Sequence, residues 1–201
     1  MNEDLRVRKT NKNIRKTFFK LIKEYQFKDI TVKMIVEQAE INPSTFYRHY
    51  EDKYALLEEL VEEILCEMRK VVDPRIIVYE RSDEAAGKKY IRPLVDFFDR
   101  HKEEFYYTVK NAPFVNLPKR LTDVMDEAFD KRMQAEEHYN NVKIIYTLYS
   151  KLVSNNIMTV MEWWQLENTN LSSEEITDLL VKYMKFWVKL EDTIFPTKKF
   201  K

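Results

Sequence analysis

Glycine and cysteine are nearly absent from this chain of 201 residues, which contains one of each. A single glycine leaves no glycine-rich loop that could hold a phosphate group, and it argues against a turn-rich β protein. The one cysteine, Cys66, excludes an intramolecular disulfide, and its apolar neighbours on a predicted helix favour a buried position. The two shortages therefore point to a helical protein that has neither a phosphate-binding glycine loop nor a disulfide framework.

Histidine is also scarce, and the three residues, His49, His101 and His138, have no metal-ligand spacing. Carboxylates are plentiful, but the glutamate pairs at 58–59 and 62–63 are typical of a solvated helix face. We therefore expect no catalytic residues, no metal and no cofactor, and we predict that the chain is not an enzyme.

Long hydrophobic runs are missing as well, and none approaches the roughly 18 residues of a membrane span. The N-terminus is polar and lacks the apolar segment of a signal peptide, so we expect a cytoplasmic protein without a membrane partner. The formal net charge is zero, but residues 1–50 contain 11 Lys or Arg against 6 Asp or Glu. A basic head on an acidic body predicts nucleic-acid contact confined to the head.

Apolar residues recur at helical spacing through most of the chain, which predicts an all-α fold of about nine helices. An N-terminal three-helix unit precedes a larger C-terminal helical body in this prediction. The segment 73–87 is the least regular: it contains a β-rich run at 76–79 and a predicted loop at 82–87. The predicted helices span residues 8–25, 32–39, 43–49, 53–71, 89–101, 102–111, 117–135, 139–166 and 172–194.

Residues 31–53 have the pattern of a helix-turn-helix, in which the second helix enters the DNA major groove. Thr31 and Asn42 are suited to cap the two helices, and Pro43 suits a first helical position. The turn between them has Glu40 where many such turns have glycine. Phe46 and Tyr50, four residues apart, are expected to face inward.

Residues 8–60 resemble the DNA-binding domain of the TetR family of bacterial regulators. The resemblance rests on the run Thr-Phe-Tyr-Arg-His-Tyr at 45–50, on Lys53 with the leucines at 56–57, and on the preceding Phe-x-x-Ile-Thr-Val at 27–32. It covers about a quarter of the chain. The aromatic helix through 162–164, followed by Ser-Ser-Glu-Glu at 172–175, is similar to a C-terminal type of Gram-positive members.

The resemblance implies a two-domain organisation of the chain and a set of DNA contacts. Residues 1–52 would bind DNA, residues 53–201 would bind an effector and dimerise, and helix 53–71 would connect the two. Short polar groups at the start of the second helix reach base edges, while the lysines, the tyrosine and the histidine resemble phosphate-backbone contacts. Lys53 resembles a phosphate clamp. The implied contacts are Thr31, Lys33, Ser44, Thr45, Tyr47, Arg48, His49 and Lys53.

The resemblance also implies an effector cavity in the aromatic-rich body, although aromatic residues at helical spacing are more often core. The candidate lining residues are Asn111, Tyr146, Tyr149, Asn155, Asn156 and Trp163. The apolar face of residues 176–194 is too wide for one contact, which predicts a homodimer whose interface includes Leu180, Tyr183, Met184 and Trp187.

These features predict a ligand-responsive transcriptional regulator. The preferred interpretation is a repressor that binds a palindromic double-stranded DNA operator as a homodimer. The small-molecule effector is not identified by the sequence. Two alternatives stay open: an activator of the same family, and a helical interaction protein whose basic head does not bind DNA. Salt-sensitive binding to duplex DNA separates the last alternative from the other two.

Overall fold

The structure, a computed structural model, describes residues 2–77, 83–135, 139–167 and 169–194. Over these residues it is all-helical, which confirms the predicted fold class. Short 3-10 turns at Phe27–Asp29, Pro74–Ile77 and Pro113–Val115 join some of the helices. The α-helices are α1 Asn2–Glu24, α2 Val32–Gln38, α3 Pro43–His49, α4 Lys53–Val71, α5 Glu84–Arg100, α6 Lys102–Asn111, α7 Leu117–Gln134, α8 Tyr139–Leu166 and α9 Ser173–Ile194.

The irregular segment before α5 differs from its prediction. The predicted loop at 82–87 is helical from residue 84, because the Asp83 carboxylate caps α5 by accepting a hydrogen bond of 2.9 Å from the amide of Ala86. Gly87 is buried inside this helix. Of the β-rich run at 76–79, Ile76 and Ile77 are buried in a 3-10 turn, and residues 78–79 lie outside the described residues.

The chain divides into two compact units. The first contains residues 1–66 together with 103–117, and the second contains residues 67–102 and 118–201. The first unit thus includes most of α4 and most of α6, which the predicted boundary at residue 53 assigned to the body. The assignment of DNA binding to 1–52 and of effector binding to 53–201 stays a prediction.

Segment 103–117 joins the first unit through one buried amide and an aromatic contact. The Asn111 side chain donates to the Ile22 carbonyl at 2.6 Å and accepts from the Gln26 side chain at 2.7 Å. The ring of Phe114 lies 5.1 Å from that of Phe27. Since a buried amide must have its hydrogen bonds satisfied, Asn111 fixes the end of α1 against α6.

In the second unit, α9 packs along α5. Leu94, Val95, Phe97 and Phe98 of α5 are buried, as is Leu180 of α9. An ion pair between Lys88 and Asp178 at 2.6 Å and a hydrogen bond from Ser173 to Asp99 at 3.1 Å border this contact. The second unit therefore has an apolar core of its own.

Cys66 is exposed, so the prediction of a buried cysteine was wrong. It lies on the polar side of α4, although Leu65 and Met68, its neighbours in the sequence, are buried. Among the described residues, no helix combines the length and apolar character that a membrane crossing needs.

Candidate nucleic-acid interface

The turn between α2 and α3 explains how a glutamate replaces the usual glycine. Glu40 has a positive φ of 54°, in the left-handed region. The Ile41 amide bonds to the Val36 carbonyl at 3.0 Å and the Glu40 amide to the Glu37 carbonyl at 3.2 Å, which is the Schellman arrangement. Because a residue with a Cβ adopts this conformation at a cost of roughly 1 kcal/mol, the paired carbonyls are what hold the turn.

Helix α3 begins as its sequence predicts. Asn42 lies in extended conformation, and its side-chain oxygen accepts from the Ser44 amide at 3.0 Å and from the Ser44 hydroxyl at 2.8 Å. Pro43 occupies the first turn, where no amide donor is needed. The start of α3 is thus set by local sequence.

Helix α3 has one buried and one exposed face. Phe46 and Tyr50 are buried, at 0% and 3% exposure, while Tyr47 is 58% exposed. Ser44 and Arg48 are also exposed, and Ser44 lies three residues before Tyr47 and four before Arg48, which places all three on one side of the helix. We call Ser44, Tyr47 and Arg48 the reading face. Its hydroxyl and guanidinium groups can contact base edges and phosphates.

Thr31 and Lys33 lie at the start of α2. The Thr31 hydroxyl caps the helix by accepting from the Met34 amide at 3.2 Å. The Lys33 side chain is 81% exposed, and its ammonium lies 3.8 Å from the Glu37 carboxylate. An exposed ion pair of this kind is worth little, so Lys33 is free to exchange the carboxylate for a phosphate.

Lys53 lies inside the first unit. Its Nζ donates to the carbonyl oxygens of Phe27, Lys28 and Ile30 at 2.8, 3.2 and 2.6 Å. It also lies 4.6 Å from the centre of the Phe27 ring. Burial lowers the pKa of Lys53, and the charges of Asp29 and Asp52 oppose that shift.

A lysine ammonium has three N–H donors. In Lys53 the three donors are matched by three carbonyl partners, those of Phe27, Lys28 and Ile30. In this structure the Lys53 ammonium holds the turn at 27–30, and its role as a phosphate clamp stays a prediction. His49 is half-buried, and its Nε2 is one of the described atoms that are buried without a hydrogen-bond partner. The buried Nε2 of His49 is therefore not presented to a phosphate. Thr45 is half-buried, so part of its side chain remains exposed to solvent.

A polar network behind α3 was not found from the sequence. Arg15 of α1 contacts the hydroxyl of Tyr50 and the carboxylates of Glu59 and Glu63 in α4. Its partners lie 35 to 48 residues away along the chain, so no local pattern indicates them. The four-residue step between the two glutamates was the available signal, since it places both on one side of a helix.

The candidate pocket residues do not form one group. Asn111 belongs to the first unit and has its amide satisfied there, and Asn155 is exposed and donates to the Lys151 carbonyl of its own helix at 2.7 Å. Tyr149 and Asn156 are half-buried, and Trp163 is 39% exposed. The side chain of Tyr146 lies outside the described residues.

A buried amide on α8 was missed by the sequence analysis. Gln165 is 3% exposed, and neither its Oε1 nor its Nε2 has a hydrogen-bond partner among the described residues. Burial raises the pKa of Glu162, one helical turn earlier. An unpaired buried amide is costly, which makes this position a candidate for pairing with a bound molecule or a water.

The structure places two of the four candidate dimer residues in the core of the second unit. Leu180 is 0% exposed and Met184 is 6% exposed, because α9 uses that side to pack within its own unit. Neither has surface left for a partner. Tyr183 is half-buried, and the side chain of Trp187 lies outside the described residues. Exposed apolar side chains occur instead on α8, at Ile144, Leu148 and Leu152, with exposures of 84%, 55% and 47%.

Comparison with known proteins identifies the first unit. Residues 14–60 match the family model described as bacterial regulatory proteins, tetR family. The chain is also 21% identical over 164 residues to the uncharacterized HTH-type transcriptional regulator YxbF of Bacillus subtilis. This alignment covers 82% of the chain but 42% of the relative, so the chain spans less than half of that protein.

Solved structures of this fold cover most of the chain. A TetR transcriptional regulator from Streptococcus agalactiae has a TM-score of 0.60 at 17% identity, covering 91% of this chain and 97% of that one. A putative TetR-family regulator from Syntrophomonas wolfei has a TM-score of 0.63 at 16% identity, covering 89% and 94%. The dihydroxyacetone kinase operon activator DhaS has a TM-score of 0.55 at 18% identity, covering 90% and 97%.

Proposed function

From the match of residues 14–60 to the tetR family model, we propose that the chain is a TetR-family transcriptional regulator, a ligand-responsive repressor that binds a palindromic operator as a homodimer. The observation that carries the proposal is the reading face of α3, where Ser44, Tyr47 and Arg48 are exposed on a helix whose opposite side is buried. A short helix with this polarity fits the major groove. The basic balance of residues 1–50 adds attraction to phosphates.

We predict that Lys33→Ala weakens binding to every DNA sequence and lowers the slope of log affinity against log salt by about one, because one phosphate contact is lost. Tyr47→Phe should weaken binding without changing that slope, since it removes a hydroxyl and no charge. Fluorescence anisotropy on the upstream DNA of the gene, at four salt concentrations, measures both effects. Lys143→Ala, an exposed lysine on α8, is the matched control and should leave the slope unchanged.

Selection from a random DNA library completes this experiment. The wild-type protein should recover a palindrome, and substitutions at Ser44 and Thr45 should change the sequence that is recovered. Binding that is insensitive to salt, together with no selected sequence, would contradict DNA recognition and favour a helical interaction protein.

The homodimer proposal rests on the exposed apolar residues of α8. Ile144, Leu148 and Leu152 recur every four residues and therefore form one stripe along the helix, which we call the α8 stripe. Leu179 of α9 is 41% exposed as well. A second copy of the chain suits such a stripe, because a two-fold axis brings the same residues of both copies together. A dimer also links two DNA-binding units, which fits the two half-sites of a palindrome.

The effector proposal places the binding site near the end of α8 in the second unit. Half-buried Asn156 and partly exposed Trp163 keep their places among the candidates, Gln165 is added, and Asn111 and Asn155 are left out. An apolar site with one or two unpaired polar groups is typical of small-molecule pockets. Effector binding would move α4, which begins at Lys53 directly after the helix-turn-helix.

We predict that Gln165→Leu raises the free energy of unfolding by about 1 kcal/mol, since it removes a buried amide that has no hydrogen-bond partner in the described part of the chain. If the amide binds the effector, the same substitution should abolish induction of a reporter controlled by the operator. Chemical denaturation and the reporter assay measure the two effects, with Asn155→Leu on the exposed side of α8 as control. A destabilised variant that still responds to inducer would argue against this site.

Activation is the second candidate, because one structure of the same fold carries the name of an operon activator. A deletion strain separates the two functions. Loss of the protein should raise expression of the adjacent genes if it represses them and lower it if it activates them.

A further inference from the structure

We propose that Arg15 is a positioning residue, which sets the orientation of the recognition helix α3 relative to α4 without touching DNA. This inference rests on the proposed function, in that it explains how the reading face is held for binding. The residues that carry it are Arg15 with Asn11 on α1, Tyr50 directly after α3, and Glu59 and Glu63 on α4.

The contacts of Arg15 extend to three elements. Its Nε donates to the Asn11 side-chain oxygen and to the Tyr50 hydroxyl, each at 3.1 Å. Its two terminal nitrogens donate to different carboxylates, Nη2 to Glu59 and Nη1 to Glu63. A guanidinium is planar and its donors are fixed in direction, so it can bind these groups together only when the three elements are correctly placed.

Tyr50 closes the network on the side of α3. Its hydroxyl donates to the same Asn11 oxygen that Arg15 contacts, and its ring is 3% exposed. Burial raises the pKa of Tyr50, so the hydroxyl stays a neutral donor. Since Tyr50 is the C-cap residue directly after His49, a fixed Tyr50 fixes the end of the helix that carries the reading face.

The α4 side of the network consists of two exposed carboxylates. The side chains of Glu59 and Glu63 are 44% and 51% exposed, whereas that of Arg15 is 20% exposed. Burial acts to lower the pKa of Arg15, but its contacts with Glu63 and Tyr50 outweigh that effect and raise it. A rotation or shift of α4 would move both carboxylates at once, and the shared guanidinium would pass that change to Tyr50.

Tyr50→Phe is the principal test, because it keeps the buried ring and removes only the hydroxyl. We expect the affinity for the selected operator to fall roughly fivefold with an unchanged salt slope, since a hydrogen bond is lost and no phosphate contact. Arg15→Gln should cause a similar or larger loss, and the double variant should lose less than the two single losses combined. Lys20→Gln, an exposed site on α1, is the control for a lost charge on that helix.

Amide hydrogen exchange in the free protein gives a readout that does not depend on DNA. Both variants should speed exchange at Phe46 to Tyr50 more than at the α1 core residue Phe18. Operator affinity equal to wild type with unchanged α3 exchange would overturn the proposal, as would a salt slope lowered by about one in Arg15→Gln, which would make Arg15 a phosphate contact. If wild-type protein selects no operator, the proposed function fails, and the exchange data still decide whether Arg15 positions α3.

Discussion

Leu148→Glu is expected to convert the protein into a monomer of 24.5 kDa, whereas the wild-type chain should have about twice that mass in solution. Leu148 is 55% exposed in the middle of the α8 stripe, so the substitution should not disturb the core of the chain itself. In a symmetric dimer each substitution occurs twice, and the two desolvated carboxylates should cost roughly 4 kcal/mol, or about a thousandfold in dimer affinity. Light scattering after size-exclusion chromatography measures the mass.

The matched control is Lys143→Glu, which also adds negative charge to α8 but at an exposed lysine. A dimeric control with a monomeric Leu148→Glu would assign the effect to the apolar stripe. The monomeric variant should also lose most of its affinity for a palindrome, because two linked heads bind far more tightly than one. A wild-type protein that is monomeric at micromolar concentration would contradict the dimer, and so would a Leu148→Glu variant that remains dimeric.

Lys53→Met is expected to destabilise the first unit by about 2 kcal/mol and to lower its melting temperature by several degrees. The substitution keeps most of the apolar stem but removes the ammonium that binds the carbonyls of Phe27, Lys28 and Ile30. Because that ammonium has no donor left for a phosphate, the salt slope of DNA binding should stay at the wild-type value. Thermal unfolding and anisotropy titrations measure the two quantities.

Lys28→Met is the control for stability, since Lys28 lies on the same turn but its side chain is exposed. Lys33→Ala is the control for the salt slope, where a loss of about one is expected. A Lys53→Met protein with normal stability and a reduced slope would show that Lys53 leaves its carbonyl partners and binds a phosphate on DNA.

Local sequence was sufficient for most of the helices, though not for the start of α5, and for the buried side of α3. The start of α3 follows from Asn42 and Pro43, whose capping and backbone preferences act within two residues. Phe46 and Tyr50 are buried as the four-residue spacing predicts, and the left-handed Glu40 lies at the turn position that usually has glycine. These features depend on neighbours in the chain, so reading the sequence recovers them.

The sequence could not place residues whose environment is formed by distant parts of the chain. Asn111 looked like a pocket residue, but its partners are Ile22 and Gln26, more than 80 positions earlier. Leu180 and Met184 lie on an apolar face of α9 whose width suggested a partner chain, yet the structure uses them within the subunit. Periodicity gives the side of a helix that is apolar, but it does not say which surface covers that side.

The sequence by itself determined that this chain is helical, that residues 31–53 form a helix-turn-helix of the TetR type, and which side of α3 is buried, because capping and spacing at that unit are local. Only the tertiary structure decided the contacts of Lys53 and Arg15. Each is a long cation whose donors can bind a phosphate, a carbonyl or a carboxylate equally well, and the choice depends on which acceptors the fold brings within about 3 Å. The turn at 27–30 supplies them for Lys53, and Tyr50 with the α4 glutamates supplies them for Arg15.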